Sequence, residues 1–290
     1  MGSRLAQISC VADVKAILAE GPVWVAPESA IYWVDINGKK VFRVRNGETK
    51  SWDTLLKVGS IWPREDGGFV AGTEQGLAFT TDFARFDLFA NPEEGLPDNR
   101  FNDGKTDRQG RFWAGTMDNR ERAARGTLYR LDPDRRLTAI DSGYRVTNGP
   151  AFSPDGRTMY HNDSSLQLTY AFDLDEAGNA SNRRPFIQSG KGDGYPDGMT
   201  VDAEGCLWIA FWDGWCVRRF APSGERLMQL DVPVQRPTSC AFGGDDLKIL
   251  FITSASRDLE GTELDRQPLA GGLFAADVGV QGIAELPFRG

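Results

Sequence analysis

The segment Asn148-Gly-Pro-Ala-Phe-Ser-Pro-Asp-Gly156 places a polar residue eight positions before a turn glycine, and this frame repeats along the chain. Each frame is followed by a short stretch rich in β-branched and aromatic residues, such as Cys206-Leu-Trp-Ile-Ala210. Stretches of this kind, bounded by Gly, Asp, Asn and Pro, are typical of β-strands. The other copies of the frame, of which the last three are weaker, occupy residues 102–110, 197–205, 20–28, 59–67 and 238–246.

The spacing of the frames indicates the architecture. Successive frames begin 39, 43, 46, 49 and 41 residues apart, which is the period of a four-stranded propeller blade. Six such blades account for nearly the whole chain, so we predict an all-β, six-bladed β-propeller that forms one domain over residues 1–290. Regular alternation of strands and helices is absent, which disfavours a parallel α/β sheet. Because an unpaired strand edge is a liability, we expect residues 8–14 to pair with the last blade and close the ring.

Composition excludes several classes of function. The net charge of -8 disfavours binding to the phosphate backbone of nucleic acids. The count of one histidine, His161, removes most of the Ser-His-Asp, Cys-His and multi-histidine zinc chemistries, each of which needs at least one correctly placed imidazole. His161 falls at the end of a second strand, so we expect a structural role for it, with Asp163 as its hydrogen-bond partner.

The chain offers no run of about 20 apolar residues that could span a bilayer, and we expect no membrane partner. Its first 20 residues lack the apolar core of a signal peptide. The cysteines form neither a dense disulfide framework nor a CxxC site, so we predict reduced thiols in a cytoplasmic protein. A closed ring has no free edge, and we expect a monomer. The four cysteines are Cys10, Cys206, Cys216 and Cys240.

Acidic and amide side chains occupy the first position of several frames. The innermost strand of a blade lines the central tunnel, so these first residues should point toward one tunnel mouth. Glu20, Asn148 and Asp197 would supply three oxygen atoms and a charge of -2, which suits one hard divalent cation. Asn-Gly and Asp-Gly are also common turn dipeptides, and such a residue taken singly is more often part of a turn than a ligand. The six first residues are Glu20, Gly59, Asn102, Asn148, Asp197 and Thr238.

Several motifs stand in order along essentially the whole chain. Together they resemble the family that contains the gluconolactonases, regucalcin (senescence marker protein) and the luciferin-regenerating enzyme. That resemblance implies a six-bladed propeller with a divalent metal in its tunnel and, for many members, hydrolysis of sugar-acid lactones. The motifs are Ala19-Glu-Gly-Pro22, Arg100-Phe-Asn-Asp-Gly-Lys105, Ala114-Gly-Thr-Met117, Thr147-Asn-Gly-Pro150, Ser153-Pro-Asp-Gly156, Pro196-Asp-Gly-Met199 and Pro268-Leu-Ala-Gly-Gly272.

The resemblance also implies roles for particular residues. Glu20, Asn148 and Asp197 match the metal ligands of the family, in agreement with the frame positions. Arg100 and Asn102 match residues that contact substrate. For Arg100 the alternative is an ordinary surface charge, whereas beside a metal and two acids it would be a hydrogen-bond donor to a carbonyl or carboxylate oxygen.

The chain departs from the family pattern after Met117. Many members carry a glutamate there that helps to bind substrate hydroxyl groups, whereas this chain reads Asp118-Asn-Arg-Glu121. Either Glu121 or Asp118 takes that role, or the loop differs and is simply a solvated charged segment.

The leading hypothesis is therefore a metal-dependent lactonase that opens an aldonolactone, such as a xylono-, glucono- or arabinonolactone, to the aldonic acid. Asp197 is the candidate general base, because it is a carboxylate beside the metal. The cation could be Ca²⁺, Mg²⁺, Mn²⁺, Fe²⁺ or Zn²⁺. Alternatives are a non-catalytic metal-binding regulatory protein of the regucalcin type, or a propeller esterase or phosphotriesterase. A propeller scaffold for protein partners is disfavoured, because it would need no acids in the tunnel.

Overall fold

The computed structural model describes residues 7–290, and its strands form six four-stranded antiparallel sheets. The innermost strands of successive sheets pack against one another around a central axis. The sheets are therefore the blades of a six-bladed β-propeller, as the frame spacing predicts. Among the residues described, no helix has the length and apolar character needed to cross a membrane.

Blades 1 to 5 each use four consecutive strands beginning with β2, and blade 6 has the order β22-β23-β24-β1. Two 3-10 helices (Ala26–Glu28 and Ser164–Leu166) and one short α-helix, α1 (Thr262–Asp265), lie in connecting segments. The strands are β1 (Ser9–Ala12), β2 (Ala19–Val25), β3 (Ala30–Asp35), β4 (Lys40–Arg45), β5 (Glu48–Asp53), β6 (Val58–Pro63), β7 (Phe69–Thr73), β8 (Gly76–Thr80), β9 (Asp87–Ala90), β10 (Asn99–Thr106), β11 (Phe112–Asp118), β12 (Gly126–Leu131), β13 (Leu137–Tyr144), β14 (Thr147–Phe152), β15 (Thr158–Asp163), β16 (Leu168–Leu174), β17 (Ala180–Gln188), β18 (Tyr195–Val201), β19 (Leu207–Trp212), β20 (Cys216–Phe220), β21 (Arg226–Asp231), β22 (Pro237–Gly243), β23 (Ile249–Ser254) and β24 (Leu273–Asp277).

The N-terminal strand closes the ring. Strand β1 pairs antiparallel with β24, with Ser9 opposite Ala275 and Cys10 opposite Phe274. The outermost position of blade 6 is thus filled from the opposite end of the chain, which removes the free edge that β24 would otherwise present. This pairing confirms the predicted closure.

Each innermost strand carries a β-bulge at its repeated frame. In β14, for example, Asn148 pairs with Asn162 and Ala151 with Tyr160, so three steps on one strand match two on the other. A bulge re-aims the side chains beside it and strengthens the local twist. The same irregularity occurs in all six blades, which shows that the sequence frame encodes a backbone feature as well as a turn. The shifts lie at Glu20/Val23, Val58/Ser60, Phe101/Gly104, Asn148/Ala151, Pro196/Met199 and Pro237/Ser239.

Buried tryptophans on the second strands fill equivalent places between blades. The indole Nε1 of Trp113 donates to Asp107 Oδ2 at 2.8 Å, and that of Trp208 donates to Asp202 Oδ2 at 2.8 Å. In both blades the other oxygen of the aspartate accepts backbone N–H groups of the following turn. A single buried carboxylate thus joins the turn to the blade core and satisfies the buried indole N–H, as most buried polar groups are satisfied.

The C-terminal segment after β24 crosses the end of the axis opposite the frame starts. Gly282 forms a bridge with Asp202 of blade 5, and Phe288 forms one with Arg64 of blade 2. Glu285, between them, accepts from Lys105 Nζ at 3.1 Å and from Arg108 Nη2 at 2.8 Å. The tail therefore ties several blades together and holds an ion pair beneath the centre of the propeller.

His161 lies fully buried in blade 4, in edge-to-face contact with Tyr144 at 4.7 Å between ring centroids. Burial, followed by the charge of Arg183, lowers the pKa of His161 to about 3 and keeps the ring neutral. The expected hydrogen bond to Asp163 is wrong. The carboxylate of Asp163 instead caps the second 3-10 helix by accepting from Ser165 N at 3.2 Å, and among residues 7–290 neither ring nitrogen of His161 has a partner.

Candidate functional site

A cavity of about 430 Å³ opens at the end of the axis where the innermost strands begin. The repeated frame brings residues from blades 1, 3, 4 and 5 to it, although they are far apart in sequence. Asp118 is not among the residues that line the cavity. Of the residues singled out from the sequence, those that line it are Glu20, Arg100, Asn102, Glu121, Asn148 and Asp197.

The two remaining frame starts serve packing. At Gly59 a Cβ atom would lie 2.4 Å from Phe101 O, so only glycine lets blades 2 and 3 approach this closely. The hydroxyl of Thr238 donates to Ala19 O at 2.5 Å and so links blade 6 to blade 1. The frame starts of the other four blades are the ones that line the cavity.

Two buried carboxyl groups dominate the electrostatics of the cavity. Glu20 is 5% exposed and Asp197 is 6% exposed. Burial, followed by repulsion from Asp103, raises the pKa of Glu20 to about 8. Burial, followed by repulsion from Glu20 and Asp103, raises the pKa of Asp197 well above its ordinary value. A compensating positive charge nearby would favour the ionised form of both groups.

The oxygen atoms at this point fit a divalent cation. Asp197 Oδ1 is buried and has no hydrogen-bond partner among the described residues, which leaves a carboxylate oxygen free to bind a ligand. Within residues 7–290, no group of three or more His, Cys, Asp or Glu side chains has the arrangement of a metal site. The candidate set is therefore mixed, with two carboxylates and one amide oxygen, a donor set that suits hard cations.

The amide of Asn148 is oriented by its neighbours. Its Nδ2 donates to Ser164 Oγ at 2.8 Å, and the Ser164 hydroxyl donates in turn to Pro196 O at 2.6 Å. These bonds fix the nitrogen on the side of Ser164, so Oδ1 is left to accept. Ser164 thus connects blade 4 to blade 5 directly beside Asp197.

Arg100 and Asn102 form the next links of a hydrogen-bonded chain. Arg100 Nη1 donates to Asn102 Oδ1 at 2.5 Å, and Asn102 Nδ2 donates to Asn148 Oδ1 at 2.8 Å. Arg100 is only 6% exposed, so it is not an ordinary surface charge. Burial lowers the pKa of Arg100 to about 10, while Glu121 and Glu20 counteract that shift, and the group stays cationic at neutral pH.

Asp118 and Glu121 have different environments. Both carboxylate oxygens of Asp118 face its own loop and accept from the backbone N–H groups of Arg120 at 2.9 Å and of Arg122 and Ala123 at 3.1 Å. Those bonds lower the pKa of Asp118. Glu121 adopts a positive φ of 55° and lines the cavity, where its Oε1 accepts from Arg257 Nη1 at 3.0 Å.

Asp103 is a third buried acid that the sequence interpretation missed. Its Oδ2 accepts from Gly149 N at 2.9 Å and its Oδ1 from Gly104 N at 2.8 Å, so it joins the bulges of blades 3 and 4. Burial raises the pKa of Asp103 to about 6, against the opposing effect of Lys105. The available signal was the Asn-Asp-Gly run, in which an acid directly follows a frame start.

Three arginines and Tyr195 at the mouth were also missed. Arg145, Arg236 and Arg257 line the cavity together with Tyr195 and Trp212. The guanidinium group of Arg236 lies 4.9 Å from the centroid of a Trp212 ring and donates to Asp213 Oδ1 at 2.8 Å. They come from connecting segments and strand ends, where the repeat carries no common pattern, so the sequence offered little to identify them.

Comparison with known proteins gives a consistent result. A family model described as SMP-30/Gluconolactonase/LRE-like region matches residues 18–256. A protein of Pseudomonas putida named 6-deoxy-6-sulfogluconolactonase is 36% identical over 98% of this chain and 99% of its own length. Regucalcin of Danio rerio is 38% identical with the same two coverages.

A solved structure supports the same relationship. The calcium-binding protein regucalcin from Agrobacterium tumefaciens superposes with a TM-score of 0.92 at 26% identity, covering 97% of this chain and 96% of that one. The motifs quoted from the sequence are thus confirmed as marks of a shared family, over the full length of the propeller.

Proposed function

The chain belongs to the SMP-30/gluconolactonase/LRE-like family, and from that premise we propose that it is a lactonase that hydrolyses a sugar-acid lactone to the open aldonic acid. The observation that carries the proposal is the buried pair Glu20 and Asp197, in which Asp197 Oδ1 has no hydrogen-bond partner within residues 7–290. The same cavity is lined by Arg100, which begins a chain of hydrogen bonds through Asn102 to Asn148. A xylono-, glucono- or arabinonolactone has the size and hydroxyl content that this polar cavity suits.

Glu20, Asn148 and Asp197 would hold one divalent cation. Their oxygens suit Ca²⁺, Mg²⁺ and Mn²⁺, and Fe²⁺ or Zn²⁺ can also use such a set. When bound, a divalent cation supplies Lewis-acid polarisation of a carbonyl oxygen. It would also neutralise the two carboxylates, whose burial, followed by repulsion from neighbouring acids, otherwise raises both pKa values.

The side chains beside that set would orient the lactone. Arg100, held by Asn102 Oδ1 and by Asn119 Oδ1 at 3.0 Å, presents a fixed cationic donor toward the carbonyl or ring oxygen. Asn102 holds Asn148 and Arg100 in place. Glu121, which lines the cavity, would accept from distal hydroxyl groups, and Asp118 would serve by shaping the loop that carries it.

Asp197 is the proposed general base. Its carboxylate takes a proton from water as the water oxygen forms a bond to the lactone carbonyl carbon. When the ring C–O bond breaks, the departing oxygen takes that proton and becomes the hydroxyl group of the open acid. Oδ1, which has no hydrogen-bond partner among the described residues, can accept the proton, and a bound cation would keep the carboxylate ionised and so able to act as a base.

The second candidate is a non-catalytic metal-binding protein of the regucalcin type. Two acids and an amide would suffice for that role, and relatives named regucalcin match along the whole chain. A binding protein would not need Arg100 aligned on Asn102, so this alignment favours the lactonase. A propeller esterase or phosphotriesterase would use the same polar cavity and differ in the compounds it accepts.

A panel of pentono- and hexonolactones, phenyl esters and phosphotriesters separates these functions. Acid release is followed by pH indicator at near-neutral pH against the spontaneous rate, with metal-loaded and with chelator-treated protein. We expect acceleration only for lactones and only with metal. Metal binding without acceleration of any substrate would favour the binding protein, and activity confined to esters would favour the esterase.

We also propose a monomer located in the cytoplasm. Cys10, Cys206, Cys216 and Cys240 are free thiols in the structure, which suits a reducing compartment. Sedimentation of the purified protein would test the oligomeric state.

A further inference from the structure

The cavity is lined by as many acidic side chains as arginines, yet not every arginine is paired with an acid. Four arginines line it, and two of them have carboxylate partners: Arg257 pairs with Glu121 at 3.0 Å, and Arg236 pairs with Asp213 at 2.8 Å. Within residues 7–290, Arg100 and Arg145 have no carboxylate within 4.0 Å of their guanidinium nitrogens. Arg100 bonds to Asn102 and Asn119, and the proposed function already assigns its cationic group to the lactone.

Arg145 is different because its guanidinium group is unused. Its backbone N–H donates to Asp163 Oδ2 at 3.3 Å, but in the described part of the chain its side chain makes no hydrogen bond, ion pair or aromatic contact. It is exposed, and it stands two residues before β14, on the same blade as Asn148. Blade 4 lies opposite blade 1 in a ring of six, so Arg145 faces the cavity from the side opposite Glu20.

Resting on the proposed lactonase function, we propose that Arg145 is a specificity residue that binds an anionic group on the substrate, away from the lactone carbonyl. A sugar acid that ends in a phosphate, sulfonate or carboxylate would place such an oxyanion at the mouth while its lactone lies over Asp197. A guanidinium is well suited to this task, since it offers paired donors that match the oxygens of these groups. The aromatic faces of Tyr195 and Trp212 would pack against the carbon chain.

An exposed arginine acts mainly on substrate binding, so removal of the Arg145 side chain should raise KM for an anionic substrate. We expect wild-type protein to bind glucitol 6-phosphate about 10-fold more tightly than glucitol, the ratio typical of one hydrogen-bonded charge. We expect kcat/KM to be higher by the same factor for 6-phosphogluconolactone than for gluconolactone. A gluconolactone that carries a sulfonate at carbon 6 should show the same advantage over gluconolactone. High salt should reduce it, because the Debye length falls from about 10 Å at 0.1 M to about 3 Å at 1 M.

Three variants test the role of the side chain. Arg145→Met should abolish the preference and Arg145→Lys should keep part of it. Arg157→Met is the matched control, since Arg157 is an exposed arginine of the same blade, at the opposite end of β14 and outside the cavity. It removes the same charge and should leave the preference unchanged.

The outcomes separate this inference from the proposed function. Equal binding of glucitol and glucitol 6-phosphate by wild-type protein, or equal losses in Arg145→Met and Arg157→Met, would overturn the role of Arg145 even if lactones are opened. A preference for glucitol 6-phosphate that depends on Arg145, in protein that opens no lactone, would support the anionic subsite and refute the lactonase. Binding of the two polyols is measured by calorimetry, so the test does not require turnover.

Discussion

Asn102 Nδ2 donates a 2.8 Å hydrogen bond to Asn148 Oδ1, and this bond joins the innermost strand of blade 3 to that of blade 4. Asn102 is held by Arg100 on one side, and Asn148 is held by Ser164 on the other. Asn102, which holds Arg100, is thus linked directly to Asn148, the proposed metal ligand. The link is local, because the two side chains share the frame position of neighbouring blades.

Replacing Asp197 should remove the cation site. Asp197→Ala deletes one of two carboxylates and the unpartnered oxygen, so calorimetric titration of metal-stripped protein should show one site in the wild type and none in the variant. Asp155→Ala, on an exposed turn of blade 4, is the control for loss of an acid. Wild-type metal affinity in Asp197→Ala would show that the ligand set is misassigned.

Metal-stripped protein should lose stability as the pH rises. The pKa of Glu20 is about 8 in the folded protein against an ordinary value of 4.5, so the folded state retains a proton that the unfolded state releases between these values. The contribution of Glu20 to the free energy of unfolding is fully present below pH 4.5 and declines until about pH 8. Urea unfolding from pH 5 to 9, comparing wild type with Glu20→Gln, isolates the contribution.

The difference in unfolding free energy between these two proteins should shift in favour of Glu20→Gln as the pH rises. Saturating divalent cation should cancel that trend in the wild type, because it favours the ionised carboxylates. A difference that stays constant across this range would mean that Glu20 ionises normally.

Arg100 should matter for turnover and little for metal binding. Arg100→Met removes the cationic donor while keeping an apolar stem in the buried site, and we expect kcat to fall about 10²–10³-fold, as for loss of one preorganised donor. Metal affinity from calorimetry should stay within a few-fold of wild type. Loss of metal binding instead would identify Arg100 as a support for Asn148 through Asn102.

Replacement of Glu121 should affect substrate binding, whereas replacement of Asp118 should affect the stability of the fold. Glu121→Gln should raise KM for a lactone and leave the melting temperature near wild type, since its side chain is partly exposed in the cavity. Asp118→Ala loses three backbone N–H partners and should lower Tm by about 2–4 °C. The reverse pattern in kinetics and thermal melts would assign the substrate contact to Asp118.

The C-terminal tail should contribute to the stability of the whole ring. Glu285→Ala leaves Lys105 buried without its ion pair, and the expected cost is about 3–5 kcal/mol. Urea unfolding measures it, with Glu225→Ala on an exposed turn as the control. If the two variants unfold alike, the tail does not anchor the blades.

The fold followed from the sequence because a propeller repeats. Six copies of one frame and their spacing reveal the blade period, because every blade has the same order of strands and turns and packs against its neighbours in the same way. Closure by the N-terminal strand followed from the need to cover an edge. Glu20, Arg100, Asn102, Asn148 and Asp197 could be placed together for the same reason, because equivalent positions of different blades meet at the axis.

Residues outside the repeat could be located only in three dimensions. The sequence left Asp118 and Glu121 as alternatives, and the path of the loop, with a positive φ at Glu121, places Glu121 in the cavity. The charge of Asp103 in blade 3 raises the pKa of Glu20 in blade 1, and a local sequence pattern cannot predict an interaction between different blades. Arg145 and the ion pair of Lys105 with Glu285 depend on how connecting segments and the tail cross the ends of the propeller. The repeat determines where the axis lies and which polar residues begin each frame beside it. The residues that surround these frame starts are brought there by long-range packing, which the spacing of the repeats does not encode.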